Sequence, residues 1–250
     1  MVNSKRLLAV TLLALSVVAS SAEESAPSDE GVKWLVSPMA GVDRNDLTLH
    51  QGPPGTPTTT KEDTGPMYGL FAMVLHPNFV VNNFLFYSDV NDTDVWGDLL
   101  FANYYVSSKA PVTWNAGVGY LYHEIKPEGT DIEVKVPMTK TGPFFRIRDL
   151  HLAVNPWVGY AWESVETTHG DQNNDSYLYG LTMAWRWRMM EAAVQYYYQD
   201  SQGIEDDFNT CRARFNFFFT KTAGISIRGD YMEHQYTKDK SILVGPIWMF

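Results

Sequence analysis

Residues 177–188, with the sequence YLYGLTMAWRWR, decide the fold because their two alternating sets of side chains differ sharply. One set is aromatic or aliphatic and the other is small, polar or basic: Tyr177, Tyr179, Leu181, Met183, Trp185 and Trp187 alternate with Gly180, Thr182, Ala184, Arg186 and Arg188. A period of two is the pattern of a β-strand with two unlike faces. The segment therefore predicts a strand that separates an apolar environment from a polar one.

The same alternation occurs in four other segments, residues 111–124, 151–163, 211–219 and 225–234, and in each the charged residues lie on one face. A soluble sheet would turn a face rich in Lys, Glu and Thr to water, whereas here that face carries Gly, Ala and Arg. In a transmembrane barrel the aromatic face meets lipid and the other face lines the interior. We predict an all-β fold, a single transmembrane antiparallel β-barrel over residues 32–250.

The number of strands follows from counting such segments. Twelve are indicated, at residues 33–42, 66–76, 79–89, 95–106, 112–124, 131–147, 151–163, 177–188, 191–199, 209–219, 224–236 and 241–250. Long polar links at 44–65, 164–176 and 200–208 fall at one end of the barrel, and tight turns at 76–78 and 189–190 fall at the other. Ten or fourteen strands remain alternatives, because the first four segments are apolar on both faces and their registers are weakly fixed.

The N-terminal residues predict export. Lys5 and Arg6 precede an uncharged run at 7–19 that ends in small residues up to Ala22, the pattern of a signal peptide cleaved near Ala22. Residues 23–31 would then form a periplasmic leader. The net charge of −10 argues against a nucleic-acid partner. Cys211 is the only cysteine, so no intrachain disulfide is expected.

The C-terminus adds a resemblance. Phe250 is preceded at alternating positions by Trp248, Val244 and Ile242, which resembles the terminal strand of bacterial outer-membrane β-barrel proteins in general. The resemblance implies location in the outer membrane of a Gram-negative-type bacterium, contact with lipid and lipopolysaccharide, and insertion by the barrel-assembly machinery. Pro246 departs from the pattern because it cannot donate a backbone hydrogen bond. No specific family is indicated.

Arginines form the most distinctive motif. An Arg-x-Arg pattern occurs three times and a further arginine follows, so the pore-lining candidates are Arg146, Arg148, Arg186, Arg188, Arg212, Arg214 and Arg228, together with Asp230, Glu163 and His151. Alternate spacing places both members of a pair on one strand face, the face opposite the aromatic residues. Guanidinium groups suit carboxylates and phosphates, so these rows favour small anionic solutes. We expect a passive, porin-like channel that needs no cofactor or metal.

Two other functions remain open. Charges on the lipid face cost about 2–4 kcal/mol near the midplane, so the arginines would face inward even in a closed structural or surface-interaction barrel. There they would pair with Glu163, Glu191 and Asp230 and fill the lumen. The third hypothesis is an outer-membrane hydrolase that uses His123, His151 or His234. No serine follows His151 at close alternate spacing. We therefore do not expect this protein to be an enzyme.

Overall fold

The computed structural model describes residues 31–49, 59–90, 92–107, 109–126, 131–168, 170–202, 207–233 and 237–250. The predicted signal peptide and residues 23–30 of the predicted leader lie outside these ranges, as does His234.

Twelve strands make up most of the described chain. They are β1 (Lys33–Leu49), β2 (Thr59–Leu75), β3 (Phe79–Val90), β4 (Thr93–Tyr105), β5 (Val112–Lys126), β6 (Ile132–Ile147), β7 (Leu152–Thr167), β8 (Gly170–Trp187), β9 (Met190–Gln202), β10 (Phe208–Phe218), β11 (Ala223–Glu233) and β12 (Thr237–Met249). Each strand pairs antiparallel with the next, and β12 pairs with β1 to close the barrel. The predicted twelve-stranded antiparallel barrel is confirmed.

A single turn of 3-10 helix, Arg148–Leu150, connects β6 to β7. Among the described residues, no helix is long and apolar enough to cross a membrane.

The two ends of the barrel differ. At the turn end the strands are joined by short links, such as residues 76–78 and 188–189, and in bacterial barrels such turns face the periplasm. At the opposite, hairpin end the strands extend farther than expected. The links predicted at 44–65, 164–176 and 200–208 are shorter in the structure because pairing continues past the membrane, up to Leu49 and from Thr59, up to Thr167 and from Gly170, and up to Gln202. Beyond the lipid both faces of a strand meet water, so the alternation of polar and apolar residues ends there. The backbone hydrogen bonds between the strands continue.

The exterior carries the apolar band. Exposed aromatic side chains point outward all around it, among them Trp34, Tyr104, Trp114, Trp162, Tyr177, Tyr179, Trp187 and Trp248. On β1 and β12 the outward apolar residues end at Val42 and Ile242, and Arg44 and Lys240 come next on the same face. Residues farther toward the hairpin end therefore lie outside the membrane-spanning segments.

The interior is apolar on one side. Most members of the buried apolar cluster are inward side chains of β1–β4 and β12, and the rest come from β6–β10. Those on β1–β4 and β12 include Leu35, Met39, Met67, Phe71, Met73, Phe84, Leu99, Phe101, Leu243 and Ile247. Inward glycines on adjacent strands make room for large side chains, because a Cβ on Gly119 would collide with the Phe101 ring and one on Gly180 with the Trp157 ring. The first strands are thus apolar on both faces because one face meets lipid and the other meets an apolar lumen.

Candidate functional site

A cavity of about 280 Å³ lies inside the barrel, lined mostly toward the turn end by residues from strands β2–β4 and β6–β11. Its two walls differ in chemistry. The apolar wall comes mainly from β2, β3 and β4 and consists of Phe71, Met73, Leu75, Val80, Phe84, Leu99 and Phe101. The cationic wall comes from β6, β10 and β11 and carries Lys140, Arg212, Arg214 and Arg228. Among the described lining residues there are four cations and no carboxylate.

The alternation of side chains along β10 and the register between β10 and β11 bring the residues of the cationic wall together. Arg212 and Arg214 are two residues apart on β10, so both side chains leave the same face. Arg228 of β11 pairs directly with Arg214. This places two permanent charges side by side, and each guanidinium stacks on an aromatic ring of the opposite wall. Arg214 lies 4.7 Å from the centroid of Phe71 and Arg228 lies 3.8 Å from that of Phe84.

Asp230 neutralises part of this wall. Arg228 donates to both of its carboxylate oxygens, from Nε at 2.7 Å and from Nη2 at 3.1 Å. Arg212 Nε lies 3.5 Å from the same carboxylate. One carboxylate therefore serves two arginines. Arg212 Nη1 is buried and has no hydrogen-bond partner within the described part of the protein, which leaves a strong donor without an acceptor.

Lys140 and Arg214 complete the excess of positive charge. The Lys140 ammonium lies 5.1 Å from the centroid of Phe101 and 5.2 Å from that of Trp157. Within the described ranges, no carboxylate lies within ion-pair distance of Lys140 or Arg214. The electrostatic environment of the cavity is therefore positive, and its walls of low polarity weaken the screening of that charge.

The first Arg-x-Arg pair binds backbone instead of lining the cavity. Arg146 faces inward on β6, and its Nη1 donates to the carbonyl oxygens of Ser107 at 3.1 Å and Ala110 at 2.9 Å. Arg148 lies in the 3-10 turn, and its Nη2 donates to the carbonyl oxygen of Lys109 at 2.7 Å. Both arginines therefore hold the link between β4 and β5 at the turn end.

The second pair lies at the rim. Arg186 faces inward near the turn end, is 56% exposed, and its Nε lies 3.2 Å from Glu191 Oε1. Arg188 is exposed in the turn after β8, with φ of 53° and its guanidinium over the Trp187 ring. Two of the carboxylates suggested as partners, Glu191 and Asp230, thus form ion pairs with inward arginines.

The other two candidates lie apart from the cavity. Glu163 faces inward on β7 nearer the hairpin end, and no cation pairs with it among the described residues. His151 is exposed in the turn that follows the 3-10 helix, with φ of 51°. Of the ten candidates, the structure brings Arg212, Arg214, Arg228 and Asp230 together.

Sequence reasoning did not single out Lys140 or the apolar wall. Lys140 shares its strand face with Arg146, six residues away and at even spacing, so parity alone could have placed it inside. The apolar wall left a signal too, namely the lack of alternation in the first four strands. His123, considered for catalysis, is inward and stacks edge-on against Phe86 at 5.4 Å. In the described part of the chain, neither His123 nor His151 contacts a serine or a carboxylate with its side chain.

Comparisons with known proteins concern the fold. No protein-family model matches the chain, and no curated protein matches it. The translocator domain of the autotransporter NalP from Neisseria meningitidis is similar at 12% identity, covering 99% of this chain and 97% of that one, with a TM-score of 0.49. An outer-membrane channel from Pseudomonas putida F1 is similar at 10% identity over 91% and 100% of the two chains, with a TM-score of 0.49.

An anion-selective porin from Comamonas acidovorans is similar at 9% identity over 88% of this chain and 99% of that chain, with a TM-score of 0.37. The strand order and the apolar exterior define the class of transmembrane antiparallel β-barrels. The chain has the fold of outer-membrane β-barrel proteins, and no narrower family is shown.

Proposed function

We propose that this protein is a passive channel for small anionic solutes in the bacterial outer membrane. The observation that carries the proposal is the cationic wall. Among the described residues, Lys140 and Arg214 make no ion pair within 4 Å, and Arg212 Nη1 has no hydrogen-bond partner. A buried charge without a partner costs free energy, so a surplus of cations beside a cavity favours a role beyond packing. A surplus of positive charge beside a cavity lowers the free energy of an anion there relative to a cation.

The proposal includes the surroundings that the sequence suggests. The chain would be exported with a signal peptide cleaved near Ala22, inserted by the barrel-assembly machinery, and held among lipid and lipopolysaccharide. The aromatic exterior and the outward Arg44 and Lys240 at the edge of the apolar band support this placement.

A second candidate function is a closed structural barrel, and the packing of the lumen supports it. Leu35, Leu243 and Ile247 are fully buried inside the barrel, and Arg214 and Arg228 reach across to rings on the opposite wall. In that case the arginines would cross-link two sides of the wall, and no solute would pass.

Chloride flux separates the two candidates. Refolded protein is reconstituted into vesicles that contain a chloride-quenched dye, and valinomycin lets potassium accompany the anion. We expect dye quenching well above that of empty vesicles, and quenching at least several-fold slower for Arg212→Gln combined with Arg214→Gln.

Lys221→Gln is the matched control, because it removes one positive charge from an exposed turn at the same end of the barrel. It should leave the flux close to that of the unaltered protein. Folding of every variant is checked by heat-modifiable migration in gels. Folded protein with no flux above empty vesicles would refute the channel and favour the closed barrel.

A further inference from the structure

We infer that the cavity binds amphiphilic monoanions, with a carboxylate at the cationic wall and a small aromatic or alkyl group at the apolar wall. This inference deepens the proposed function, because it names the class of solute. It rests on the contrast between the two walls, on an unpartnered buried donor and on the volume of the cavity.

The apolar wall offers no polar group to a hydrated inorganic ion. Phe71, Leu99 and Phe101 are each at most 6% exposed, and with Met73 and Val80 they present a continuous apolar surface to the cavity. Water beside such a surface is unfavourable, and apolar constrictions in pores tend to dewet. A ring or short chain that displaces this water gains free energy in proportion to the apolar area that it buries.

The cationic wall supplies the other half of the site. Arg212 Nη1 is buried without an acceptor, although Arg212 Nε already approaches Asp230. A turn of the guanidinium toward a carboxylate in the cavity would satisfy this donor with a charge-assisted hydrogen bond, which is stronger than a bond between neutral groups. Lys140 and Arg214 also line the cavity and make no ion pair among the described residues, and the Gln195 amide lies on the same wall.

The volume limits the size of the solute. At 280 Å³ the cavity lies near the lower end of small-molecule sites, which span about 300–1,000 Å³. It suits a solute with a single ring and is too small for an oligomer. Arg214 and Arg228 already stack on the rings of Phe71 and Phe84, and these contacts narrow the lumen beside the cavity.

Equilibrium dialysis of radiolabelled phenylacetate against the refolded protein in detergent tests this inference, with protein-free micelles as the blank. Acetate keeps the charge without the ring, and 2-phenylethanol keeps the ring without the charge. We expect saturable binding of phenylacetate at least tenfold tighter than that of either analogue. Arg212→Gln should weaken it at least tenfold through the charge, and the nearly isosteric Met73→Gln should weaken it several-fold through the apolar wall.

Lys221→Gln should bind phenylacetate like the unaltered protein. Equal binding of phenylacetate and acetate, or of phenylacetate and 2-phenylethanol, would overturn the inference, as would the absence of saturable binding. The two proposals fail separately. Chloride flux without phenylacetate binding would support the channel and refute the amphiphilic solute. Phenylacetate binding without chloride flux would support the binding site and refute the channel.

Discussion

Asp98 lies on the lipid-facing side of β4, between the outward Trp96 and Leu100. The Nδ2 group of Asn83, on the neighbouring strand β3, donates a hydrogen bond to its carboxylate. A carboxylate exposed to hydrocarbon is costly, and this bond supplies part of the solvation that lipid cannot provide. The pair is therefore a polar island in the apolar exterior.

Removing one member of this pair should destabilise the barrel. We expect Asn83→Ala to lower the free energy of unfolding by about 1–3 kcal/mol, because the carboxylate loses its donor while it stays in lipid. Guanidinium unfolding in phospholipid vesicles, followed by tryptophan fluorescence, measures the change. Thr139→Ala, also on the outer face, is the control and should change stability by less.

Replacing both members should have the opposite effect. Asn83→Leu combined with Asp98→Leu removes the polar pair and keeps apolar volume, so we expect stability at or above that of the unaltered protein. A double variant as unstable as Asn83→Ala would show that the carboxylate itself is not the source of the cost.

Asp239 is inward on β12 between the outward Lys238 and Lys240, beyond the apolar band. Burial raises the pKa of Asp239 to about 6, and the nearby Asp43 carboxylate acts in the same direction. The folded protein therefore binds the proton of the Asp239 carboxyl more tightly than the unfolded chain does. The contribution of this group to the free energy of unfolding is complete below about pH 4 and is lost as the pH rises through 6.

The variant Asp239→Asn should remove that part of the pH dependence. We expect its stability between pH 4 and 7 to vary less than that of the unaltered protein, by roughly 2 kcal/mol. Unfolding curves recorded at several pH values measure this difference. Parallel pH profiles for the two proteins would contradict the assignment to Asp239.

At the scale of elements, Arg146 fastens the link between β4 and β5 to the barrel wall. Its two bonds to the carbonyl oxygens of Ser107 and Ala110 are charge-assisted, and its guanidinium lies 4.6 Å from the centroid of Phe144. We expect Arg146→Gln to lower the free energy of unfolding by about 1–3 kcal/mol. It should also speed tryptic cleavage at Lys109, which lies in this link.

Arg188→Gln is the matched control for this prediction. Arg188 is an exposed arginine in another turn at the same end, where its guanidinium lies over the Trp187 ring, so its loss should change neither stability nor cleavage at Lys109 by much. Equal cleavage rates for Arg146→Gln and the unaltered protein would mean that the link is held by other contacts.

The strands differ in how far the sequence specifies them. In β8 and β10 alternation sets the strand, its faces and the inward position of Arg212 and Arg214, because a period of two admits one assignment of faces. In β1–β4 the strands could be located but their inner wall could not, since lipid and an apolar lumen select the same residue types. The hairpin extensions were missed because alternation ends where both faces meet water.

The site was only partly predictable for a related reason. The alternation of side chains along a strand places an arginine inside the barrel. It does not determine whether the guanidinium contacts a carboxylate, a carbonyl oxygen or an aromatic ring. Arg146 and Arg212 have the same inward direction, yet one binds the backbone of a link and the other faces a cavity. That difference depends on contacts across the lumen between strands far apart in sequence, such as Arg228 of β11 with Phe84 of β3.

At the scale of the whole molecule, inward cations are concentrated around the cavity, where Lys140, Arg212 and Arg214 lie. Asp230 and Glu191 are the carboxylates near them. Nearer the hairpin end the inward charges Asp43, Glu163 and Asp239 are all carboxylates. An anion that crosses the barrel would meet its most favourable potential at the cationic wall. The central claim is that this wall, beside an apolar one, determines which solutes pass.

The reversal potential of the refolded protein in a planar bilayer, recorded across a potassium chloride gradient, tests this claim most directly. We predict steady openings and a reversal potential of the sign expected for a pore that prefers chloride to potassium. The magnitude of this potential should be smaller in Arg214→Gln and unchanged in Lys221→Gln. Protein that is folded by heat-modifiable migration yet electrically silent would contradict the claim, as would openings that favour potassium.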